Sequence, residues 1–454
     1  MKIVFINIVL RPEAKKHSLP VGLGHILLAA KTHGFEFDLI DMASERISLD
    51  ELGKMLEKKI YDVYAFGCIV TGYRYVHHIS QTIKKINPNS TIICGNSVAT
   101  SIPELLLKNT QVDIAVIGEG DITIVELLKA LENKTSITNV RGIGFREGDK
   151  IHFTPARPVI EDLDTIGFPD WEVFNLERYL EDNAHGVGEE DTVSLPLNSA
   201  RGCPHSCTFC YHVFKGERYR KYSEKAIIEE IRRINTAYKC EVITFWDELT
   251  FTNLKSVKDR VDAINGLGFN FNWGASARAG LFRKEHIEEV RALKQAGCRH
   301  ISFSLENGSP EILAAMGKKI SVDQFIEQAL VLHEGGVPPL TSVIFGYPQE
   351  TPETIQRTLD ICYECNIYPS VGFLLPLPGT QIYEWAKKAG KITNEIDYLM
   401  KIGDRQDFHI NLTKMADNEL VETAARGLES LAKKQNLKLA SVFKTGDYQK
   451  VAKP

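Results

Sequence analysis

The chain has 454 residues, 43% hydrophobic and 25% charged, with a formal net charge of −5. This is the composition of a globular protein of two or three domains, with no electrostatic grip for a polynucleotide. No apolar run approaches the length of a membrane span, and the apolar start MKIVFINIVL is cut short by RPEAKK with no small-residue cleavage site. The nine cysteines are not spaced as a secreted disulfide framework, so a soluble, cytoplasmic, reducing setting is expected.

Residues 2–8 (KIVFINI) predict a buried strand, and PVGLGHILLAAKTHG a helix ended by Gly34. FDLIDM, DVYAFGC from Asp62 to Cys68, STIICG and DIAVIGEGD predict four more strands. Helices are expected around Val76 to Lys85 and from Thr123 to Glu132. Strands alternating with such helices predict a Rossmann-like, doubly wound parallel sheet over residues 1–135, with ligands above the C-terminal strand ends. GEGD at 118–121 lacks the G-x-G-x-x-G spacing, so a standard dinucleotide site is not expected. His25, His77 and His78 stand at helical positions and read as surface or packing residues.

Residues 136–190 read as a linker. It contains a hairpin around Glu147 and Gly148, and Trp171 and Phe174 pack between its neighbours. GVGEEDT reads as a solvated loop.

NSARGCPHSCTFCYH, residues 198–212, follows the strand pattern VSLPLNSA and sets Cys203, Cys207 and Cys210 in a C-x-x-x-C-x-x-C array. Three thiolates on a loop can hold one face of a [4Fe–4S] cube, which usually takes four cysteines, and so leave one iron open. The alternative is a zinc site with His205 or His212 as fourth ligand, or with Cys362 and Cys365 as a second pair.

Further strands are expected at 241–251, 271–280, 300–309, 342–351 and 370–383, with helices between them. Six strand–helix units are too few for a closed eight-stranded barrel. They fit a partial (β/α)6 TIM-type barrel over 191–390. Residues 391–454 predict a small helical region that caps the barrel or packs beside it, ending in a loose tail from Thr445 to Pro454.

The cysteine triplet, with an aromatic before its last member, resembles the signature of the radical SAM superfamily. PVGLGHILLAA, IICGNSVATSIPELLL and DIAVIGEGDITIVELLKAL together resemble the cobalamin-binding domain that precedes many such cores. Over roughly residues 1–390 the chain resembles the cobalamin-dependent radical SAM family.

The resemblance implies three cofactors: a [4Fe–4S] cluster on Cys203, Cys207 and Cys210, S-adenosylmethionine (SAM), and cobalamin. For SAM it implies Phe209 and Tyr211 beside the cluster and Asp247 or Glu248 for the methionine ammonium. It also implies Arg278 for the carboxylate (or as a partner of Glu306), Glu306, Asn307 and Ser309 near the ribose, and Gly346 at the adenine-side turn. For cobalamin it implies Gly67, Thr71, Gly72, Gly95, Asn96, Gly118, Glu119 and Gly120. No D-x-H-x-x-G motif occurs, so cobalt is expected to be five-coordinate or met by a residue such as Tyr73.

The implied activity is a radical enzyme fed by a flavodoxin- or ferredoxin-type electron donor. In that family a 5′-deoxyadenosyl radical removes hydrogen and methylcobalamin delivers a methyl group to an unactivated carbon or to phosphorus. The substrate is a small molecule, natural product, lipid or peptide. A cobalamin-assisted radical cyclisation or rearrangement, and a non-catalytic cobalamin or cluster sensor, are the alternatives.

Overall fold

The computed structural model describes residues 1–14, 17–182, 193–439 and 441–443. The acidic stretch 186–192 and the tail 445–454, for which a solvated loop and a loose end are expected, lie outside the described residues.

The first sheet is built from β1 Ile3–Asn7, β2 Asp38–Asp41, β3 Val63–Gly67, β4 Thr91–Gly95 and β5 Ile114–Val116. They run parallel in the order β2-β1-β3-β4-β5. Strands β1, β3 and β5 are near-continuous apolar runs because helices cover both faces of a parallel sheet. Helices Val21–Thr32 and Asp121–Glu132 pack together, as do Leu49–Lys58 and Tyr73–Ile86. Strand order reverses between β1 and β3, which opens a crevice at their C-terminal ends. Helix Leu49–Lys58 was not anticipated, although Ser48 and Glu51 spell out its capping box.

The hairpin expected around Glu147 and Gly148 forms, and it adds two strands to the edge of this sheet. β6 Ile143–Glu147 pairs antiparallel with β5, and β7 Lys150–Phe153 with β6, around the left-handed Gly148. Farther on, Trp171 is fully buried against Gly24 and Phe168 stacks on Tyr222 at 4.4 Å, so this stretch packs on both halves.

The second half starts with β8 Ser194–Leu197, then a short antiparallel clasp of β9 Ala200–Arg201 and β10 Arg220–Lys221. The clasp closes the base of the cysteine loop. β11 Val242–Phe245, β12 Asn272–Ser276, β13 Cys298–Ser302 and β14 Pro339–Leu340 continue from β8 as one parallel sheet. The expected fifth strand is broken at Thr341: β14 pairs with β13, while β15 Ser342–Phe345 pairs with β16 Ser370–Phe373. The Thr341 hydroxyl accepts from the Leu305 amide at the break, and a bridge from Glu306 to Val343 joins the two sheets. The result is the curved, partial (β/α)6 barrel expected from the strand count. It is open on one side.

Two helices of the C-terminal region reach back over both halves. Glu395–Lys401 packs on Tyr73–Ile86, and Asp417–Lys434 on Pro352–Glu364. Between them the Arg405 carbonyl accepts from the Phe373 amide at 2.7 Å, covering the outer edge of β16. No described helix is long and apolar enough to cross a membrane.

Candidate functional site

The strand ends of the first sheet and the loop after β9 enclose a cavity of about 550 Å³. Its floor comes from Gly67, Gly95 and Gly118, its walls from apolar side chains such as Phe5, Ile26 and Phe66, and its roof from Tyr211, His212 and Glu248. Glycine is required where bare backbone must face a large ligand. Gly22 and Gly118 have nothing within 4 Å of the position a Cβ would take, so a side chain there would project into free space beside the cavity they line. Gly118 also has φ +80°, a conformation that disfavours other residues. An apolar, glycine-floored chamber at a switch point fits a flat macrocycle with polar edges, such as a corrin.

Of the eight expected cobalamin contacts, Gly67, Gly95, Asn96, Gly118, Glu119 and Gly120 line this cavity. Thr71 and Gly72 do not. They belong to the turn Val70–Gly72, and a Cβ on Gly72 would fall 2.1 Å from Cys68 Sγ, so that glycine serves packing. Glu119 lines the cavity, but its carboxylate is committed elsewhere. It accepts from Arg201 Nη1 at 2.8 Å, from Arg220 Nη1 at 2.9 and 3.0 Å, and from the Ile160 amide at 2.6 Å. Tyr73, considered for cobalt, is fully buried and absent from the cavity lining. His25, expected as ordinary packing, is buried and lines the cavity.

The cysteine loop leaves the clasp and is fastened at its centre. Thr208 donates from its amide to Met316 O at 2.8 Å and from its hydroxyl to Ala315 O at 3.0 Å, and it shares a hydrogen bond with Tyr347. Burial raises the Cys203 thiol, and burial with the neighbouring Cys207 and Cys203 pushes Cys210 up to about 11. Cys207 acts on Cys203, and both act on Cys210, which places the three sulfurs near one another. Cys362 and Cys365 are buried on helix Pro352–Glu364 and its cap: burial, then Cys365, raises the Cys362 thiol, and burial, then Glu364, raises the Cys365 thiol.

Around this loop stand several of the expected SAM residues. Glu248 lines the cavity, accepts from the Gly202 amide at 3.2 Å, and is raised by burial. Asp247, its alternative, is saturated by the Ser199 amide (2.6 Å), the Ser199 hydroxyl (2.7 Å) and the Ala200 amide (2.9 Å). Arg278 acts electrostatically on Cys203 and His205, and its Nη2 is buried without a partner. It does not pair with Glu306: that carboxylate takes Lys318 Nζ at 2.7 Å.

Asn307 and Ser309 are turned inward. Asn307 Nδ2 donates to Glu350 at 3.1–3.2 Å and its Oδ1 accepts from the Ser309 amide. Gly346 (φ +107°) donates its amide to Glu350. Phe209 packs edge-on to Tyr347. Tyr211 faces the corrin-sized cavity rather than the SAM residues, and lies so close to Gly379 that a Cβ there would sit 2.7 Å from its ring.

Three important residues were not anticipated. Arg201, Arg220 and Asp121 join Glu119 in a buried four-residue ion network between the two halves. Burial alone would raise Asp121, but Arg201 more than reverses this and holds it below the usual carboxylate range. Partners 80 to 101 positions apart leave no local signal.

Comparison with known proteins agrees with this geometry. Residues 197–362 match the Radical SAM superfamily and residues 9–128 the B12 binding domain. The chain is 28% identical over 397 residues to an uncharacterized methyltransferase of Pyrococcus horikoshii, covering 85% of this chain and 84% of that protein. It is 26% identical to the anaerobic magnesium-protoporphyrin IX monomethyl ester cyclase of Cereibacter sphaeroides, covering 76% of this chain but 56% of the cyclase. Its fold matches the radical S-adenosylmethionine methyltransferase TsrM of Kitasatospora setae, solved with cobalamin and a [4Fe–4S] cluster, with TM-score 0.71 and 17% identity over 97% of this chain and 93% of that one. With a corrin-sized cavity roofed by a three-cysteine loop, and with both family matches falling on those two parts, this chain belongs to the cobalamin-dependent radical SAM family.

Proposed function

We propose that this enzyme transfers a methyl group to a carbon or phosphorus centre that ordinary nucleophilic chemistry does not reach. The observation that carries the reading is the shared chamber: the corrin-sized cavity and the loop of Cys203, Cys207 and Cys210 meet at Tyr211, His212 and Glu248. The cofactors supply the radical and the transferable methyl group. The match over 84% of a methyltransferase, set against 56% coverage of the cyclase, supports methyl transfer over cyclisation.

In this reading residues 1–135 form the cobalamin domain, 136–190 the connection with its added hairpin, 191–390 the radical SAM barrel and 391–454 a helical cap. Cys203, Cys207 and Cys210 hold the cluster. Glu248 accepts from the SAM ammonium, and Arg278 pairs with its carboxylate, giving the orphaned guanidinium nitrogen an anion. Glu306, fixed by Lys318, borders the ribose, while Asn307, Ser309 and Gly346 hold the turn behind it. Tyr211 and His212 separate the two cofactor sites and keep water from the reacting atoms. The substrate is a small molecule, natural product, lipid or peptide, the electron donor is of flavodoxin or ferredoxin type, and the nine free thiols suit a reducing cytoplasm.

The test is anaerobic reconstitution with iron, sulfide and hydroxocobalamin, then dithionite and SAM, with mass spectrometry of the products. 5′-Deoxyadenosine formation, corrin retained through gel filtration and loss of SAM cleavage in Cys203→Ala are expected. A methylated product completes the case. 5′-Deoxyadenosine with only unmethylated products would overturn methyl transfer.

A further inference from the structure

His25 is about 95% buried in the wall of the cavity, yet neither ring nitrogen has a hydrogen-bond partner. A buried, unsatisfied nitrogen is costly, and here both nitrogens of one ring are unsatisfied. Its charged neighbours do not relieve the debt. Asp121 and Arg201 both act on the ring electrostatically, but their own hydrogen bonds are spent on each other and on Glu119. Burial, with Arg201 beside it, pushes the ring down to about 4, so at neutral pH it is an uncharged imidazole with one donor and one acceptor nitrogen.

The ring's place in the fold says what it waits for. His25 lies on helix Val21–Thr32, which packs on helix Asp121–Glu132, and the cavity descends between them to Phe5, Ala65 and Ile93 within the sheet. A half-turn about Cβ–Cγ exchanges each nitrogen with a ring carbon at no cost in shape, so either edge can be presented to a ligand. Corrins carry carboxamide arms that both donate and accept hydrogen bonds. A neutral imidazole matches them in both directions.

We propose that His25 is a binding residue for the corrin cofactor, hydrogen-bonding a carboxamide arm or the nucleotide loop rather than ligating cobalt. This rests on cobalamin being the occupant of the cavity. A residue kept unsatisfied for a ligand has a two-sided signature. Replacing it with a shape-matched apolar group relieves the free protein and weakens the complex.

The experiment measures hydroxocobalamin binding to the anaerobically purified full chain by equilibrium dialysis, together with thermal unfolding of the corrin-free protein. The wild type, His25→Leu and His25→Gln are compared, and cob(II)alamin EPR is recorded on the wild type. Expected are a corrin-free melting temperature for His25→Leu at or above wild type, corrin affinity at least about tenfold weaker, recovery in His25→Gln, and no nitrogen superhyperfine splitting. The tenfold loss corresponds to about 1.4 kcal/mol, one hydrogen bond in a buried site. Unchanged affinity in His25→Leu would overturn the inference. Nitrogen splitting that His25→Leu abolishes would replace it with cobalt ligation. If the wild type itself binds no corrin, the cofactor reading fails rather than the role of His25 alone. If His25→Leu does not fold, His25→Gln decides: it must bind corrin within about threefold of wild type, and a loss as large as tenfold counts against the proposal.

Discussion

Arg201 and Asp121 meet side by side, both guanidinium Nη atoms 2.9 Å from the two carboxylate oxygens, across 80 positions of sequence. Arg201 lies two residues before Cys203, and Asp121 opens the helix beside the cavity floor. The pair fixes the start of the cysteine loop against the wall of the cavity.

Breaking this pair leaves the Asp121 carboxylate buried without its counter-charge, while Glu119 keeps Arg220. Arg201→Met is expected to cost about 3–5 kcal/mol in denaturant unfolding, far more than an exposed ion pair is worth. The pH dependence follows from Asp121, whose folded pKa is depressed: its contribution is present above the ordinary carboxylate pKa and is lost as pH falls through the folded value. Asp121→Asn should therefore destabilise the protein at neutral pH and flatten the acid limb. Melting curves at several pH values check this.

Glu350 has the opposite sign. Burial lifts its folded pKa to about 7, above its ordinary 4.5, despite hydrogen bonds from Thr354, Asn307 and Gly346. Its contribution is complete below about pH 4.5 and is lost as pH rises through 7. Glu350→Gln should match wild type in stability at pH 4.5 and exceed it by up to about 3 kcal/mol at pH 8. Urea titrations at the two pH values read it directly.

Gly118 and Gly34 make a matched pair. Both adopt left-handed backbone (φ +80° and +85°) with open space where a Cβ would go, but only Gly118 lines the cavity. Alanine at either position should cost about 1–2 kcal/mol of strain. Gly118→Ala should also weaken hydroxocobalamin binding at least tenfold, whereas Gly34→Ala should leave it unchanged. Equal binding in the two variants would argue against the cavity as the corrin site.

Cys203→Ala, Cys207→Ala and Cys210→Ala should each lose cluster iron and sulfide. Cys362→Ala and Cys365→Ala should keep both and lose only about 1 kcal/mol of stability. Iron and sulfide content with the charge-transfer absorbance distinguishes the sets, and loss of iron from Cys362→Ala would revive a second cysteine pair at the metal centre.

The sequence was most legible where physics is local. Apolar runs marked the parallel strands, Gly34 marked the end of its helix, and the spacing of Cys203, Cys207 and Cys210 marked a loop that the fold sets beside the cavity. The sequence offered Asp247 and Glu248 as alternatives, and local reasoning could not tell which of the two faces the cavity. The difference is made by Ser199 and Ala200 folding back onto one carboxylate and not the other. It failed where partners are remote: the hairpin joining the first sheet, the break at Thr341, and the network of Arg201 and Arg220 with Glu119 and Asp121. Glu119 was expected as a cobalamin contact from the resemblance, and it does line the cavity. Only the fold shows that its charge is already spoken for.

The late stretch that runs from helix Glu395–Lys401 to the Arg405 carbonyl has a kinetic consequence. It seals the last barrel strand and rests on helix Tyr73–Ile86, so contacts roughly 300 residues apart must form before either surface is covered. During synthesis the edge of β16 and the outer face of that early helix stay bare until almost the whole chain has emerged. Covering these two surfaces is therefore a late wrapping event, and chains truncated near residue 390 should be recovered as aggregates rather than as a working two-part core.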